Sequence, residues 1–391
     1  MKTPHYIWQS ENWRSFRFDA NTLLQPLAVA RKKQGRLLGI MEDLGFDDSL
    51  RASAVSLEED AIQTAAIEGE TLDREGVRSS IAKHLGLPQA GLRVADRAVD
   101  GLVQVLLDAT RNYRPPLTAE RLCGWHAALF PTGHSGLHKI TVGAWRNSPM
   151  EVISGPFGKQ KVHYEAPPPQ ALDDEMQAFF RWWAESCENM DGLIRAALAH
   201  FYFVTIHPFD DGNGRLARCL TDMVLAQDEK TGMRFYSLST QIMHERDTYY
   251  EILERTQKGD GDVTEWLLWF LACFDRAVAS AEKTLNKVLM KAKFWNLHSG
   301  TELNERQRKV LNKLLDAGPD GFEGNLTTRK YIGMTKASRS TAWREIDDML
   351  QKGVLRALPG DGRNSAYKIS WKIKELKRCE EVYFKSRTRS D

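Results

Sequence analysis

The chain has 391 residues, too many for one ordinary core, so two or three domains are expected. Hydrophobic residues make up 42% and charged residues 27%, the balance of a soluble globular protein rather than a disordered or fibrous one. The net charge is only +2 but uneven: from Thr301 onward 20 Lys and Arg face 13 Asp and Glu, a local +7, which leaves residues 1–300 at −5. Such asymmetry points to a separate partner for the C-terminal part, nucleic acid among the choices. The opening MKTPHYIWQSENW lacks the apolar stretch of a signal peptide, and no uninterrupted apolar run of about eighteen residues occurs, so no membrane span and a cytoplasmic location are expected. Five scattered cysteines (Cys123, Cys187, Cys219, Cys273, Cys379) with no CxxC pair fit reduced thiols.

Residues 1–110 read as helical after a short aromatic start. Leu27 to Leu44 and Leu57 to Ile67 carry helical spacing, and Leu92 to Leu107 is strongly amphipathic. A break at Tyr113–Thr118 precedes a helix that begins at Thr118. Glycine and proline dominate from Pro131 to Pro169, with two strands, Met150–Ser154 and Lys161–Tyr164, flanking Gly155–Gly158 as a hairpin. Leu172 to Glu185, the apolar run Arg195 to Ile206, His244 to Gln257 and Val263 to Ala281 supply further helices. Glu282 to Gly300 reads as helix plus short linker. From Leu303 the pattern becomes three helices, the last stopped by Gly353, and then two strands around a Gly-Asp-Gly turn.

The most informative run is His207 to Arg218, HPFDDGNGRLAR. Pro208 removes a backbone donor and disfavours the helical region for the residue before it, so the preceding helix should end at His207. Gly212 and Gly214 let the backbone turn its N–H groups inward around an anion, and the pattern is helical again from Arg215. The loop therefore sits at a helix N-terminus, where anions bind. A histidine base beside a phosphate nest suggests phosphoryl or nucleotidyl transfer, and no Gly-Lys-Ser/Thr follows to make a Walker A loop.

This run matches every fixed position of the motif HPFx(D/E)GNGRxxR and resembles the Fic family, whose usual activity transfers AMP from ATP to a hydroxyl side chain of a protein. The expected fold is mainly α: a Fic-type helical core over 111–285 with a β-hairpin flap, a helical domain over 1–110, a winged helix-turn-helix over 300–372 and a basic tail over 373–391. The resemblance implies His207 as general base and Asp211 as the Mg²⁺ ligand. Gly212, Asn213 and Gly214 hold phosphates, with the Asn213 amide as an added donor, and Arg215 and Arg218 bind phosphate oxygens. Asp210, at the variable position, is expected to be solvated, and Phe209 to pack in the core. In the flap, Lys161, Val162, His163 and Tyr164 contact nucleotide and target. Tyr249, Tyr250 and Gln257 fall where adenosine contacts are implied.

Thr64-Ala-Ala-Ile-Glu68-Gly69 matches the family's inhibitory signature, (S/T)xxxE(G/N). Thr64 and Glu68 share one helical face, Gly69 lets the chain turn, and Glu68 is expected to pair with Arg218. Cys123, His126, His134 and His138 lack zinc-site spacing. The expected function is a self-inhibited, Mg²⁺-dependent protein adenylyltransferase acting on a target protein or on itself, with a homodimer left open. Removal of AMP, another donor nucleotide, and a DNA-binding regulator with a nucleotide-sensing core remain rivals. In the C-terminal helices Ser338, Arg339, Ser340, Thr341 and Arg344 would face DNA, with Arg363 at the wing tip, while Glu345, Asp347 and Asp348 would oppose it.

Overall fold

The computed structural model describes residues 6–11, 13–42, 46–87, 95–155, 161–317, 322, 325–359 and 365–371. They are mostly helical and divide into two compact units, Met1–Ala281 and Glu282–Asp391. The expected helix start at Leu92, the Gly155–Gly158 turn beyond Gly155, the tip at Arg363 and Cys379 lie outside the described residues.

The first unit opens with α1 (Ala20–Glu42) and α2 (Phe46–Ile67), followed by α3 (Arg74–Leu85), α4 (Arg97–Arg111) and α5 (Ala119–Leu129). Both α1 and α2 begin upstream of the expected starts, because their first turns carry polar residues that an apolar-spacing criterion skips. Asp73, Asp96 and Thr118 cap α3, α4 and α5 through side-chain oxygens that accept first-turn N–H bonds. Two short ladders follow, β1 (His134–Ser135) with β2 (His138–Lys139), and β3 (Glu151–Ser154) with β4 (Lys161–Glu165).

Then come α6 (Leu172–Asn189), α7 (Gly192–Ile206), α8 (Asn213–Glu229), α9 (Leu238–His244), α10 (Arg246–Gln257) and α11 (Thr264–Leu297). The helix expected over His244–Gln257 is α10, which starts two residues later at Arg246, and a short helix not anticipated, α9, ends just before it at His244. The segment expected as helix plus short linker after Ala281 is helical as far as Leu297, within α11, and leaves the helix at His298. The core centres on α7: every residue from Leu193 to Ile206 is buried, and the Trp266 indole donates to the Ala197 carbonyl at 2.8 Å. A helix apolar on all sides must be enclosed on all sides.

In the second unit α12 (Glu305–Asp316), α13 (Thr328–Thr335) and α14 (Arg339–Gln351) precede the antiparallel pair β5 (Leu355–Ala357) and β6 (Tyr367–Ile369). Gly353 takes φ +68 just past α14. Phe294, Val310, Leu311, Tyr331, Ile346 and Met349 are among the residues of its separate core. Glu345, expected on the outer face of α14, is instead 8% exposed. It accepts bonds from Asn304, Arg306 and Tyr331, because a buried carboxylate needs donors.

Gly101 marks a close crossing of α4 and α5, since a Cβ there would lie 1.9 Å from the Ala128 carbonyl oxygen. Gly101→Ala is expected to destabilise the protein by about 1–3 kcal/mol or more. Gly124→Ala, at an open position on α5, should stabilise slightly. Thermal midpoints of the two variants check this, and equal midpoints would contradict the crossing.

Candidate functional site

His207 follows α7 directly in the left-handed conformation, φ 51 and ψ 59, a strained choice for a side chain with a Cβ. The turn is held from outside. Arg146, 2% exposed, donates from Nε to the His207 carbonyl at 2.8 Å, and its backbone N–H donates to the Pro208 carbonyl at 2.9 Å. The His207 Nδ1 lies 3.1 Å from the Val204 carbonyl, an acceptor, so Nδ1 carries the proton and Nε2 keeps its lone pair. Burial lowers the pKa of His207 below the ordinary histidine value, and the nearby Arg146 charge acts in the same direction.

The loop after His207 is closed by its own side chains. Asn213 accepts from the Phe209 N–H at 3.0 Å and donates to the Phe209 carbonyl at 2.8 Å. Its amide, expected as a phosphate donor, is thus already used inside the loop. Asp210, expected to be solvated, accepts from the Thr141 N–H at 2.8 Å. Phe209 is fully buried and stacks on His126, centroids 4.1 Å apart. His126 bonds the Asp211 carbonyl through Nε2 at 3.2 Å and accepts from the Gly143 N–H. Burial pushes its pKa down to about 4, so it stays neutral. Asp211 itself accepts from Ser135 and, at 2.5 Å, from the Gly212 N–H. The helix α8 starts at Asn213, two residues earlier than expected, because Gly212 takes the left-handed N-cap position at φ +80.

The last turn of α2 lies over the N-terminus of α8. Arg218, 2% exposed, donates from Nε to the Thr64 hydroxyl at 2.6 Å, and from Nη2 to the Thr64 carbonyl at 3.0 Å and to Glu68 at 2.7 Å. A Cβ on Gly214 would fall 2.2 Å from Glu68 Oε1, so the carboxylate occupies the space that only glycine leaves open. The following Gly69 turns at φ +85, and Glu70 pairs with Arg215 at 3.0 Å. Arg215 also lies 4.8 Å from the Phe130 ring, while its Nε and Nη2 are buried without partners.

A cavity of about 750 Å³ opens between this α2–α8 contact, the β3–β4 hairpin and α10. Of the residues singled out in the sequence, Glu68, Lys161, His163, Tyr164, His207, Asp211, Asn213, Gly214, Tyr249, Tyr250 and Gln257 line it. Gly212, Arg215, Arg218, Val162, Thr64 and Gly69 do not. Tyr164 is 1% exposed and its hydroxyl donates to the Thr205 carbonyl at 2.6 Å, so that group is unavailable to a ligand. The Tyr249 hydroxyl bonds His200 at 2.8 Å and Gln257 donates to Thr205 at 3.3 Å, which commits both polar ends to the interior. Sequence reading missed Arg146 and the positioning part of His126. For His126 the signal was a polar residue at an inward position of α5, whereas Arg146 lies outside any helix and offered none.

The family comparison agrees with the motif. Residues 116–225 match the Fic/DOC family, and residues 6–87 match a domain of unknown function, DUF4172. Among curated relatives, a protein adenylyltransferase Fic of Nematostella vectensis is 27% identical over 217 residues, 54% of this chain and 46% of the relative. A protein adenylyltransferase fic-1 of Caenorhabditis briggsae is 26% identical over 260 residues, 64% of this chain and 46% of the relative. The chain thus spans about half the length of these relatives. Two solved structures share the fold at TM-score 0.51 and 18% identity. One is a Fic family protein of Desulfovibrio desulfuricans G20, covering 91% of this chain and 98% of that one. The other is a Fic domain containing signaling protein of Bacteroides thetaiotaomicron VPI-5482, covering 66% and 96%.

Removing the Thr64 hydroxyl should leave Arg218 Nε buried and unpaired. Thr64→Val is expected to cost about 1–3 kcal/mol, while Thr64→Ser retains most of the stability. Indistinguishable denaturation midpoints for wild type and Thr64→Val would remove Thr64 from this network.

Proposed function

With residues 116–225 a Fic/DOC-family domain, we propose that the chain is a protein adenylyltransferase that moves AMP from ATP to a Ser, Thr or Tyr hydroxyl of a target protein or of itself, and that Glu68 holds it inhibited. The observation that carries this reading is the Glu68 carboxylate seated over Gly214 and bonded to Arg218. An anion already rests at the α8 N-terminus, the place suited to a phosphate.

In the active form the γ-phosphate replaces Glu68 on Arg218, and the backbone around Gly212 and Gly214 holds the phosphates next to it. The acceptor hydroxyl passes its proton to His207 Nε2 as its oxygen attacks the α-phosphorus, and pyrophosphate leaves in line. The Val204 carbonyl keeps the imidazole in the tautomer that can accept that proton. Its lowered pKa keeps it neutral at pH values where an ordinary histidine is already charged. Lys161 and His163 line the same cleft and contact nucleotide or target, as do Tyr249 and Tyr250.

Asp211 fits Mg²⁺ as a single protein ligand. Each of its oxygens retains a lone pair beyond the bonds from Ser135 and Gly212, and magnesium commonly completes its shell with phosphate oxygens and water. The ion would neutralise phosphate charge there. Among the described residues no group of three or more His, Cys, Asp or Glu could hold a metal, which such a shared site does not need. Removal of AMP is the second reading, because Glu68 and His207 line one cleft where a water could sit between them.

We read the second unit as a winged helix that binds DNA. Arg339, Ser340, Trp343 and Arg344 are exposed on α14, while Glu345 is turned inward.

Breaking the Glu68–Arg218 pair without replacement leaves a buried charge, at a cost of about 3–5 kcal/mol. Glu68→Gly is therefore expected to raise self-labelling from α-labelled ATP by about tenfold or more, since each 1.4 kcal/mol is a factor of ten. Adding His207→Ala should lower that labelling by about 100-fold or more while ATP still binds. Equal labelling of wild type and Glu68→Gly would refute inhibition, and Glu68-dependent loss of AMP from a modified target would establish the reverse reaction. For the second unit, the full chain should bind duplex DNA with an affinity that falls steeply as salt rises. Absence of binding at low salt would point to a protein partner instead.

A further inference from the structure

The β3–β4 hairpin carries an arrangement whose acid-base capacity nucleotidyl transfer by His207 does not use. The Ser154 hydroxyl lies 2.5 Å from His163 Nε2, and His163 Nδ1 lies 2.5 Å from Glu254 Oε2. The three residues come from β3, β4 and α10. All line the cleft that also contains His207 and Gly214. The ladder pairs Val152 with Tyr164 and Ile153 with Val162, so His163 is the extra residue of a β-bulge. Such a bulge re-aims a side chain, and here it brings the imidazole to the Ser154 hydroxyl.

The chemistry follows from the donor inventory. A carboxylate only accepts, so the proton of a neutral His163 sits on Nδ1 and Nε2 is left to accept from Ser154. Burial opposes ionisation of Glu254, but bonds from Lys258 and His163 outweigh it and hold its carboxyl at about 2. Its charge is permanent at neutral pH and stabilises an imidazolium beside it. Serine, histidine and carboxylate in this order activate a hydroxyl as a nucleophile on unrelated folds. Ser154 is exposed, so the hydroxyl is accessible.

We propose that Ser154 is a self-modification site, which takes AMP from the nucleoside triphosphate bound in its own cleft, with His163 as its base and Glu254 as the group that positions that base and stabilises the charge it gains with the proton. The Ser154 Oγ forms a bond to the α-phosphorus, and the bond from that phosphorus to the pyrophosphate oxygen breaks. The electron pair leaves with pyrophosphate, and the hydroxyl proton moves to His163 Nε2. The proposal rests on the adenylyltransferase reading for its donor. Its consequence is local: a phosphodiester on Ser154 removes the bond to His163 and places a negative charge near Glu254, which loosens the hairpin from α10.

The test uses the full chain carrying Glu68→Gly, α-labelled ATP and Mg²⁺, with labelled residues mapped by mass spectrometry. A fluorophosphonate probe, which reports an activated serine without ATP, is applied in parallel. Ser154 should carry AMP at a rate independent of protein concentration, and the probe should label the same residue. Glu254→Gln and His163→Gln should each slow both reactions at Ser154 by about 100-fold, while Ser154→Thr keeps part of the AMP label. AMP on other residues but none on Ser154 would overturn the proposal and leave the adenylyltransferase standing. AMP on no residue and on no added protein would overturn both. If the chain with Ser154 intact carries neither label at that residue and Ser154→Ala alters only the hydrogen exchange of the hairpin, the three residues are a structural clasp and the proposal fails.

Discussion

A buried guanidinium requires a counter-charge, and in this protein that requirement organises the site. Arg218 is held on the first turns of α8 with 2% of its surface exposed. Desolvation would make an unpaired charge there very costly, so something anionic must stay close. In the present state Glu68 meets that need, with the Thr64 hydroxyl and carbonyl filling further donors. On the function proposed above, an incoming phosphate takes over the same bonds, and competition for one cation then links the position of α2 to the occupancy of the cleft.

The seat of α2 is built along one side of the helix. Asp60 accepts from the Ser237 hydroxyl at 2.6 Å and the Ser239 N–H at 3.4 Å, at the start of α9. One turn on, Thr64 reaches Arg218, and the Ile67 carbonyl accepts from Arg246 at 2.8 Å. Burial, with the charge of Asp222 beside it, raises the pKa of Asp60. Nearby, Arg234 pairs with Asp222 and Glu229 in an enclosed network. Buried polar groups of this kind are costly when half-satisfied, which favours one register of α2 over its neighbours.

On the opposite side of the cleft the hairpin is tied to its surroundings through side-chain bonds. The Tyr164 hydroxyl bonds the Thr205 carbonyl two residues before His207, and His163 reaches Glu254 on α10. The strand that carries the cleft's polar groups is therefore referenced to the same helix end that places His207. That arrangement gives positional accuracy to a hairpin whose outer residues, Ile153 and Val162, stay exposed.

Much of the site was legible in the sequence because its rules are local. Proline after His207 dictated where α7 stops, Gly212 let the chain turn into α8, and the spacing of Thr64 and Glu68 put them on one face. The helical character of most segments followed from apolar periodicity. Partner choice was not legible. The Asn213 amide turned back on Phe209, Glu345 turned inward to Arg306 and Tyr331, and Asp210 found the Thr141 N–H. The short α9 and the convergence of Ser154, His163 and Glu254 likewise depend on contacts between distant segments. Backbone restrictions and side-chain period act over a few residues and can be read from them. Which donor meets which acceptor is decided by burial, and burial exists only once the chain has folded.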